Sequence, residues 1–378
     1  MLNLFALNAP AGSGRPVTLP GIRSAPPARG ALHLERRPLL ACAAIEPEWN
    51  DLAARAVEPN PFFEPGFALP AAQHLVSFRD VSVLLVWQGR PGGPRRLLGF
   101  LPSSPGHRLF GTDMLTGWSD RRLGSAAPLI DGDEAGRVVE AVLGARGRWG
   151  GNARHSLLLP AIDREGPLAQ ALLGQAGTPG WVATLGAGRP SRPPPAEGGP
   201  DLAALRHGLS RHGELAFTEA GSRQELRDIV EMVLALEASG PLARAGTAAL
   251  QDIRETAFLR AMTRNLARTR QCRAGLLTLD GEPVAGAILL GKGPRRWLYA
   301  TAQDERFASF APLAQLLAQL RRRSHIHQLI GAIAGQHAVT ETLAQGELRL
   351  QRAPELRRGR RPVREGAFSQ PRRAEAAG

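Results

Sequence analysis

The side chains best suited to proton transfer lie in the C-terminal third of the chain. Asp304 and Glu305 follow a predicted strand, and either could take the proton that an acceptor amine must lose to become nucleophilic. An exposed turn is the alternative for both. His325, His327 and His337 form a histidine cluster, and the first two would share one face of a strand. A third metal ligand is not evident, so the pattern predicts no metal site.

Backbone groups just after these carboxylates could bind an anion. The segment 295–303 predicts a strand, and Pro312 suits the first turn of a helix with an apolar face. A strand, a short loop and a helix start direct several N–H groups to one point, which suits a phosphate-bearing ligand. The spacing GxGxxG is absent where a dinucleotide fold needs it. Cys272, at a strand start, is typical of a buried small side chain more than of a nucleophile.

The elements that position these groups alternate between strand and helix patterns. Asp280-Gly281 separates two apolar runs, which predicts a tight hairpin because a I′ turn needs positive φ at both central residues. Ser222 and Glu225 form a capping box at the start of an amphipathic helix. The predicted C-terminal order is strand 214–220, the capped helix, helix 250–270, strands 274–279, 284–290 and 295–303, helix 312–323, strand 326–330, a weaker helix 336–345 and strand 347–352.

The first half loosely repeats this order, which suggests an ancestral duplication. Its predicted elements are helices near 49–57 and 69–78, strands 81–87 and 95–102, helix 136–146, strand 155–162 and helix 168–173. The stretch 189–200 is rich in proline and predicts a linker, with a long surface excursion as the alternative. The predicted division is a disordered segment 1–37, a domain 38–188, the linker 189–200, a second domain 201–355 and an Arg-rich disordered tail 356–378.

The charge distribution argues against nucleic acid as a partner. The net charge is +13, but residues 1–37 carry five Arg and one Glu (+4), and residues 356–378 carry seven Arg and two Glu (+5). A nucleic-acid-binding domain concentrates basic charge on its folded face, whereas here it lies in the predicted tails, which could instead contact an anionic surface. Two cysteines without metal spacing, no signal peptide and no long apolar run predict a soluble, cytoplasmic protein.

Several segments resemble one known family. The chain is similar to the GNAT-type N-acetyltransferases of the cellulose-biosynthesis (CelD/BcsL-like) group, which are related to the tandem-domain FemAB transferases. The resemblance covers about residues 40–350 and rests on the order of its motifs, each weak alone. The matching segments are EWNDLAARAVEPNPFFEPGF (48–67), LRHGLSRHGELAF (205–217), VLALEASG with AGTAAL (233–250), TAFLRAMTRNLA (256–267), LLTLDGEPVAGAILL (276–290) and YATAQDERFASFAPLAQLL (299–317).

The resemblance implies an α/β (α+β) fold with tandem GNAT-like acyltransferase domains, whose mixed central sheets are flanked by helices. It implies transfer of an acyl group from acetyl-CoA or another acyl-CoA to an amine or hydroxyl of a small-molecule or glycan-linked acceptor, without a metal. The family position for the pantothenate arm corresponds to Tyr299, Ala300 and Thr301. The position for the pyrophosphate corresponds to Ser309, Phe310, Ala311 and Leu313.

The same resemblance implies an acceptor side and catalytic residues. Arg244, Gly246 and Thr247 correspond to the loop that lines the acceptor side, although a plain connector is the alternative. Glu237 matches the family's LE position, with a solvated helix-end carboxylate as the alternative. Apart from the resemblance, the residue types offer three further catalytic candidates. Tyr299 could protonate the leaving thiolate or be a core aromatic, Asp304 could accept a proton from the acceptor amine, and His327 could accept one near the thioester.

Three departures from the family pattern favour a second hypothesis. Pro241-Leu242-Ala243 replaces a Trp-Lys-Gly run, Pro312-Leu313 replaces Pro-Gly, and no lysine follows Gly335-Gln336-His337. The alternative is therefore a catalytically degenerate GNAT-like scaffold or regulatory protein in an exopolysaccharide or cellulose assembly system.

Overall fold

The computed structural model describes residues 30–90, 92–104, 114–145, 156–176, 180–191, 202–331 and 340–353. Helices and strands alternate through both halves of the chain, and the strands form three sheets. Within the described ranges, no helix is long and apolar enough to cross a membrane.

The N-terminal half contains the pattern predicted for it, with additional strands. Its elements are β1 Leu32–Pro38, α1 Glu46–Ala54, α2 Pro65–His74, β2 Ser82–Gly89, β3 Arg95–Ser103, β4 Met114–Thr116, β5 Leu129–Ile130, α3 Ala135–Gly144, β6 Ser156–Asp163, α4 Pro167–Gln175 and β7 Trp181–Gly188.

The C-terminal half follows its predicted order. Its elements are α5 Leu202–Ser210, β8 Leu215–Glu219, α6 Arg223–Glu237, the short α7 Pro241–Arg244, α8 Ile253–Arg268, β9 Cys272–Leu279, β10 Glu282–Leu290, β11 Arg295–Gln303, α9 Pro312–Arg323, β12 Gln328–Ile330 and β13 Gln345–Arg352.

One five-stranded sheet, in the order β12-β11-β10-β9-β8, forms the centre of the C-terminal half. All its pairs are antiparallel except β11 with β12. The β9–β10 turn has positive φ at Asp280 (51°) and Gly281 (84°), as the tight turn requires. At the start of α6 both bonds of the predicted capping box are present. The predicted hairpin and capped helix are therefore confirmed.

Two four-stranded sheets, β1-β2-β3-β5 and β4-β6-β13-β7, form the N-terminal half. The last strand of the chain, β13, lies between β6 and β7 and is antiparallel to both. A strand from the C-terminal segment therefore completes the N-terminal sheet. The domain limits drawn from the sequence stay a prediction, but residues 345–352 pair with strands of the first half.

A continuous hydrophobic core joins the two halves. Helix α2 packs on α8, and Phe67 of α2 makes an edge-to-face contact with Phe258 of α8 at a centroid distance of 5.3 Å. Gly66 lies so close to Leu266 that a Cβ there would approach a methyl carbon to 2.7 Å. The halves are thus held together by buried apolar surface, which favours one fixed arrangement over a loose tether.

Some expectations for the termini and the linker need correction. The prediction of disorder for 1–37 is wrong from residue 32 onward, because β1 pairs along its whole length with β2. The sequence did not reveal this edge strand because it contains two arginines and ends in a proline, and most of its residues are only half-buried. The predicted helix 336–345 does not include 340–345, where an isolated bridge and the first residue of β13 occur. Residues 1–29, 192–201, 332–339 and 354–378 lie outside the described residues.

A buried carboxyl at the junction of the two halves leads to a pH prediction. Glu64 is 7% exposed and accepts a hydrogen bond from Nε2 of Gln271, whose own Oε1 has no partner. Burial raises the pKa of Glu64 above its ordinary 4.5, against a smaller lowering by Gln271. A protonated Glu64 could donate to Oε1 of Gln271 and complete a reciprocal pair.

We expect Glu64→Gln to stabilise the protein increasingly as the pH rises above about 4.5. A raised folded-state pKa gives stability that is full below the unfolded pKa and is lost as pH rises through the folded pKa. Between those two pKa values the wild type should lose up to about 1.4 kcal/mol per pH unit relative to the variant. Urea unfolding at pH 4.5 to 8 measures the difference. The exposed Glu214→Gln is the control, and parallel stability curves for wild type and E64Q would contradict the prediction.

Candidate active site

A cavity of about 1000 Å³ lies where the two halves meet. On one side its walls come from residues 121–124, in the loop between β4 and β5, and from residues 189–190, just after β7. On the other side they come from α6, α8, β11 and β12. Residues 342, 343 and 345, just before and at the start of β13, close one edge. The cavity contains Glu237, Gly246, Thr247, Tyr299 and Ala300 of the residues predicted from the sequence.

A β-bulge in β11 forms the floor of this cavity. Ile288 of β10 lies opposite Ala300, but Leu289 lies opposite Leu298, so Tyr299 has no partner on β10. Such a bulge re-aims side chains next to a site. The Tyr299 ring packs against Phe67 at 5.7 Å and Phe62 at 6.3 Å. Desolvation raises the pKa of the Tyr299 phenol, with Glu255 adding to the effect, so the hydroxyl stays protonated and can donate a hydrogen bond.

Next to this bulge, the edge of β11 that faces β12 becomes unpaired among the described residues. Its parallel pairing with β12 ends at Trp297 opposite Ile330, and Gly331 then packs on the Cβ of Leu298. Within the described residues no strand pairs with this edge of β11 from Leu298 to Gln303. The backbone there can hydrogen-bond an extended ligand, as an exposed strand edge does.

The end of α6 and the connection to α8 supply a carboxylate and a loop to the cavity. Oε2 of Glu237 accepts a hydrogen bond from the backbone N–H of Ala249 at 2.9 Å, which fixes the side chain at the end of α6. Thr247 donates from its hydroxyl to the carbonyl of Leu242 at 3.3 Å, and Gly246 takes a φ of 70°. Arg244 is outside the cavity and forms an exposed ion pair with Glu305 at 2.5 Å.

The opposite wall comes from residues 118–128, an insertion whose placement the sequence does not predict. Ser103 of β3 bridges Gly117, and Gly99 of β3 pairs with Ile130, so β4 and β5 continue one path along β3. Residues 118–128 interrupt that path and extend to the C-terminal half. Nothing in the periodicity of WSDRRLGSAAP (118–128) indicates this placement; only its small residues hint at a close contact.

Two contacts hold this insertion against the other half. Arg122 forms an ion pair with Glu255 of α8 and a second with Asp120 at 3.3 Å; these carboxylates raise the pKa of Arg122 against the opposing effect of burial. Gly124 lies flat against the Trp297 and Phe62 rings, where a Cβ would approach Trp297 to 2.4 Å. Glycine is required here because the backbone and the ring are in contact.

The residues assigned to the pyrophosphate lie together at the start of α9 but do not line the cavity. Ala311 has a left-handed φ of 49° and precedes Pro312, and the N–H of Gln315 bonds to its carbonyl at 3.1 Å. Ser309 is exposed, Phe310 and Leu313 are half-buried and Ala311 is buried. Thr301 lies between the two sets on β11, opposite Ala287. Helix starts in general favour anions, and a pyrophosphate site at the start of α9 stays a prediction.

The structure separates the other two predicted proton acceptors from the cavity. Asp304 lines a different pocket, and its pKa is lowered chiefly by hydrogen bonds from Arg306, which makes it a weaker base. His327 is exposed and precedes β12, whereas Ile330 at the end of β12 lines the cavity. The intervening residues of a strand span roughly 10 Å. The catalytic roles of Asp304 and His327 stay predictions, and the geometry of the cavity gives them no support.

Cysteine and metal chemistry have no built site among the described residues. Cys42 and Cys272 are free and buried, and desolvation raises the pKa of each thiol to about 12. In the described ranges no three His, Cys, Asp or Glu side chains come together as metal ligands. His337, the third member of the histidine cluster, lies outside those ranges.

Comparisons with known proteins support the fold of the second half. Residues 201–329 match the model of the Acetyltransferase (GNAT) domain. A comparison with curated proteins found no match. Among solved structures, the chain is similar to the C-terminal domain of a putative lysylphosphatidylglycerol synthetase from Agrobacterium fabrum, with 14% identity, a TM-score of 0.42 and coverage of 74% of this chain and 76% of that one.

Two further solved structures are similar to the chain. FemX has 10% identity and a TM-score of 0.44, with 80% of this chain and 95% of that one covered. A tandem GNAT protein from the clavulanic acid biosynthesis pathway has 16% identity and a TM-score of 0.31, with 85% of this chain and all of that one covered. The family match extends from α5 to β12 and therefore includes β11, its bulge and the start of α9.

Proposed function

We propose that this chain, whose residues 201–329 match a GNAT acetyltransferase domain, transfers an acyl group from acyl-CoA to an amine in the cavity between its halves. The observation that carries the proposal is the convergence of the β11 bulge, the open β11 edge and the Glu237 carboxylate in one space. Binding energy and orientation would supply most of the rate, as in other direct transfers.

The thioester arm would extend along β11 from the cavity to the start of α9. The unpaired edge from Leu298 to Gln303 offers amide groups to the arm, and the first turn of α9 offers N–H groups and a positive dipole end to the pyrophosphate. Ser309, exposed in the preceding loop, is placed to add a hydroxyl donor.

Three groups would act on the reacting atoms. The free oxygen of Glu237 takes the proton from the acceptor ammonium, and the amine nitrogen attacks the thioester carbon. A backbone N–H near the bulge stabilises the oxyanion. When the tetrahedral intermediate collapses, the C–S bond breaks and Tyr299 donates a hydrogen bond to the leaving thiolate. The proton that the attacking nitrogen loses as it becomes the amide nitrogen ends on the thiolate, so the products are the amide and the free thiol. No covalent enzyme intermediate is required.

A specific contact favours a second candidate, a scaffold that no longer binds acyl-CoA. Helix α5 covers part of the loop before α9: Gly208 packs on the Phe310 ring, and the His212 ring lies 5.1 Å from it. Under this alternative the loop is a docking surface for α5 and not a phosphate site. A link to exopolysaccharide or cellulose biosynthesis, and a glycan-linked acceptor, rest on the residue resemblance alone and belong to this proposal under either candidate.

Thermal unfolding with and without acetyl-CoA tests the two candidates. We expect acetyl-CoA at 100 times its Kd to stabilise the folded state by about 2.7 kcal/mol. Ser309→Glu should abolish the shift by placing a negative charge beside the pyrophosphate, whereas Ser77→Glu, at an exposed position in the N-terminal half, should retain it. No shift at millimolar acetyl-CoA, with the wild type folded, would favour the scaffold.

A further inference from the structure

The charges of the cavity are divided between its two walls. The N-terminal half contributes three arginines, Arg121, Arg122 and Arg189, and the C-terminal half contributes three carboxylates, Glu237, Asp252 and Glu255. The sum of these six charges is zero, but the described lining holds no acid on the first wall and no base on the second. A ligand that spans the cavity therefore meets positive potential at one end and negative potential at the other.

The three carboxylates differ in how fully they are engaged. Glu255 is paired with Arg122, and Asp252 caps α8 by accepting from the N–H of Arg254 at 2.8 Å. Among the described residues, the Ala249 N–H is the one donor to the Glu237 carboxylate, and it uses one of the two oxygens. Asp252 likewise uses one of its two oxygens but is exposed, whereas Glu237 is half-buried, so on this wall Glu237 is the better-enclosed carboxylate with an oxygen available to a cationic amine.

The arginines differ in the same way. Arg122 is paired with Glu255 and Asp120. Arg121 and Arg189 are exposed, and neither guanidinium has an ion pair or a hydrogen bond within the described part of the chain. Their backbones are nevertheless fixed: Arg121 adjoins the anchored Arg122, and the N–H of Arg189 donates to the carbonyl of Gln345 at 2.8 Å. Two guanidinium groups are thus held at the rim with their donors unused.

We infer that the acceptor is zwitterionic, with an amine that binds at Glu237 and a carboxylate or phosphate that binds Arg121 and Arg189. This deepens the proposed function and rests on it for the role of the amine. An arginine fork matches the oxygens of carboxylate and phosphate in bidentate geometry, whereas an acceptor without an anion leaves both groups unused. Since the two walls belong to different halves of the chain, the acceptor contacts both halves when it binds.

Acetyl transfer to matched pairs of amines tests the inference. The wild type is assayed, by release of the CoA thiol, with glycine, β-alanine, 4-aminobutyrate and 6-aminohexanoate, each against the alkylamine of the same length. Phosphoethanolamine against ethanolamine separates phosphate from carboxylate. We expect kcat/KM for the anionic member to exceed that of its partner by about 10-fold or more at one length. Arg121→Gln and Arg189→Gln should each lower this ratio by about 10-fold, and the exposed Arg79→Gln should not. A ratio near one at every length would overturn the inference.

A second measurement does not depend on transfer. Phenylglyoxal labels accessible arginines, and peptide mapping follows Arg121, Arg189 and Arg79 separately. The anionic amines should slow the labelling of Arg121 and Arg189 but not of Arg79, and the neutral amines should slow none. If the anionic amines slow the labelling of Arg121 and Arg189 but no acetyl transfer occurs, the anion site stands and the acyltransferase activity is rejected. If acetyl transfer occurs but no anionic amine slows the labelling, the anion site is rejected and the acyltransferase activity stands.

Discussion

Replacing Glu237 with glutamine should lower kcat for acyl transfer by about 10²–10⁴-fold, the contribution typical of a positioned general base. The glutamine keeps the shape of the side chain and can still accept the Ala249 N–H, so the cavity should retain its form. Only the capacity to take a proton from the amine is lost. The KM for acyl-CoA should change little, since Glu237 lies on the acceptor side of the cavity.

The division between kcat and KM separates this role from a structural one. E237Q should lower kcat while leaving the KM for acyl-CoA and the free energy of unfolding close to the wild-type values. Glu231→Gln is the matched control, because Glu231 lies on the same helix but forms an exposed ion pair with Arg260 at 2.6 Å. If E237Q retained more than about a tenth of the wild-type rate, the catalytic assignment would fail.

Truncation of Leu350 to alanine should lower the free energy of unfolding by about 2–5 kcal/mol. Leu350 lies in β13, is fully buried, and packs in the core of the N-terminal half with Leu157, Leu159 and Trp181. The loss combines the transfer free energy of the removed methyl groups with the cost of the cavity left between sheet and helices. Urea unfolding followed by circular dichroism measures it.

The neighbouring Arg349→Ala is the control for Leu350. Arg349 belongs to the same strand, but its side chain is exposed on the opposite face, so its removal should change the free energy by no more than about 0.5 kcal/mol. Equal effects of the two substitutions would mean that β13 is not inserted between β6 and β7. L350A should also reduce acetyl transfer, because Gln345 at the start of β13 lines the cavity and donates to the carbonyl of Gly124 at 2.6 Å.

Local elements of the C-terminal half were predictable because their signals lie within a few residues of sequence. Asp280-Gly281 specifies its turn through backbone φ, Ser222 with Glu225 caps α6, and Pro312 starts α9. The strand order of the sheet and the bulge at Tyr299 were known only from the structure. In the N-terminal half the helices were found by their apolar spacing, whereas β1, β4, β5 and β7 were missed because they are short or polar on one face.

The sequence alone thus predicted which segments form helices and strands in the second half, a phosphate-binding position at the start of α9, and Glu237 as a candidate site residue. Only the tertiary structure decided that β13 enters the first half, that residues 118–128 supply a wall of the cavity, and that Arg121 and Arg189 line the same cavity as the carboxylates of the other half. The physical reason is the distance along the chain over which each kind of interaction acts. Caps, turns and periodicity act between neighbours in the chain, whereas a cavity wall forms where buried surfaces such as Gly124 and Trp297 pack across more than a hundred residues.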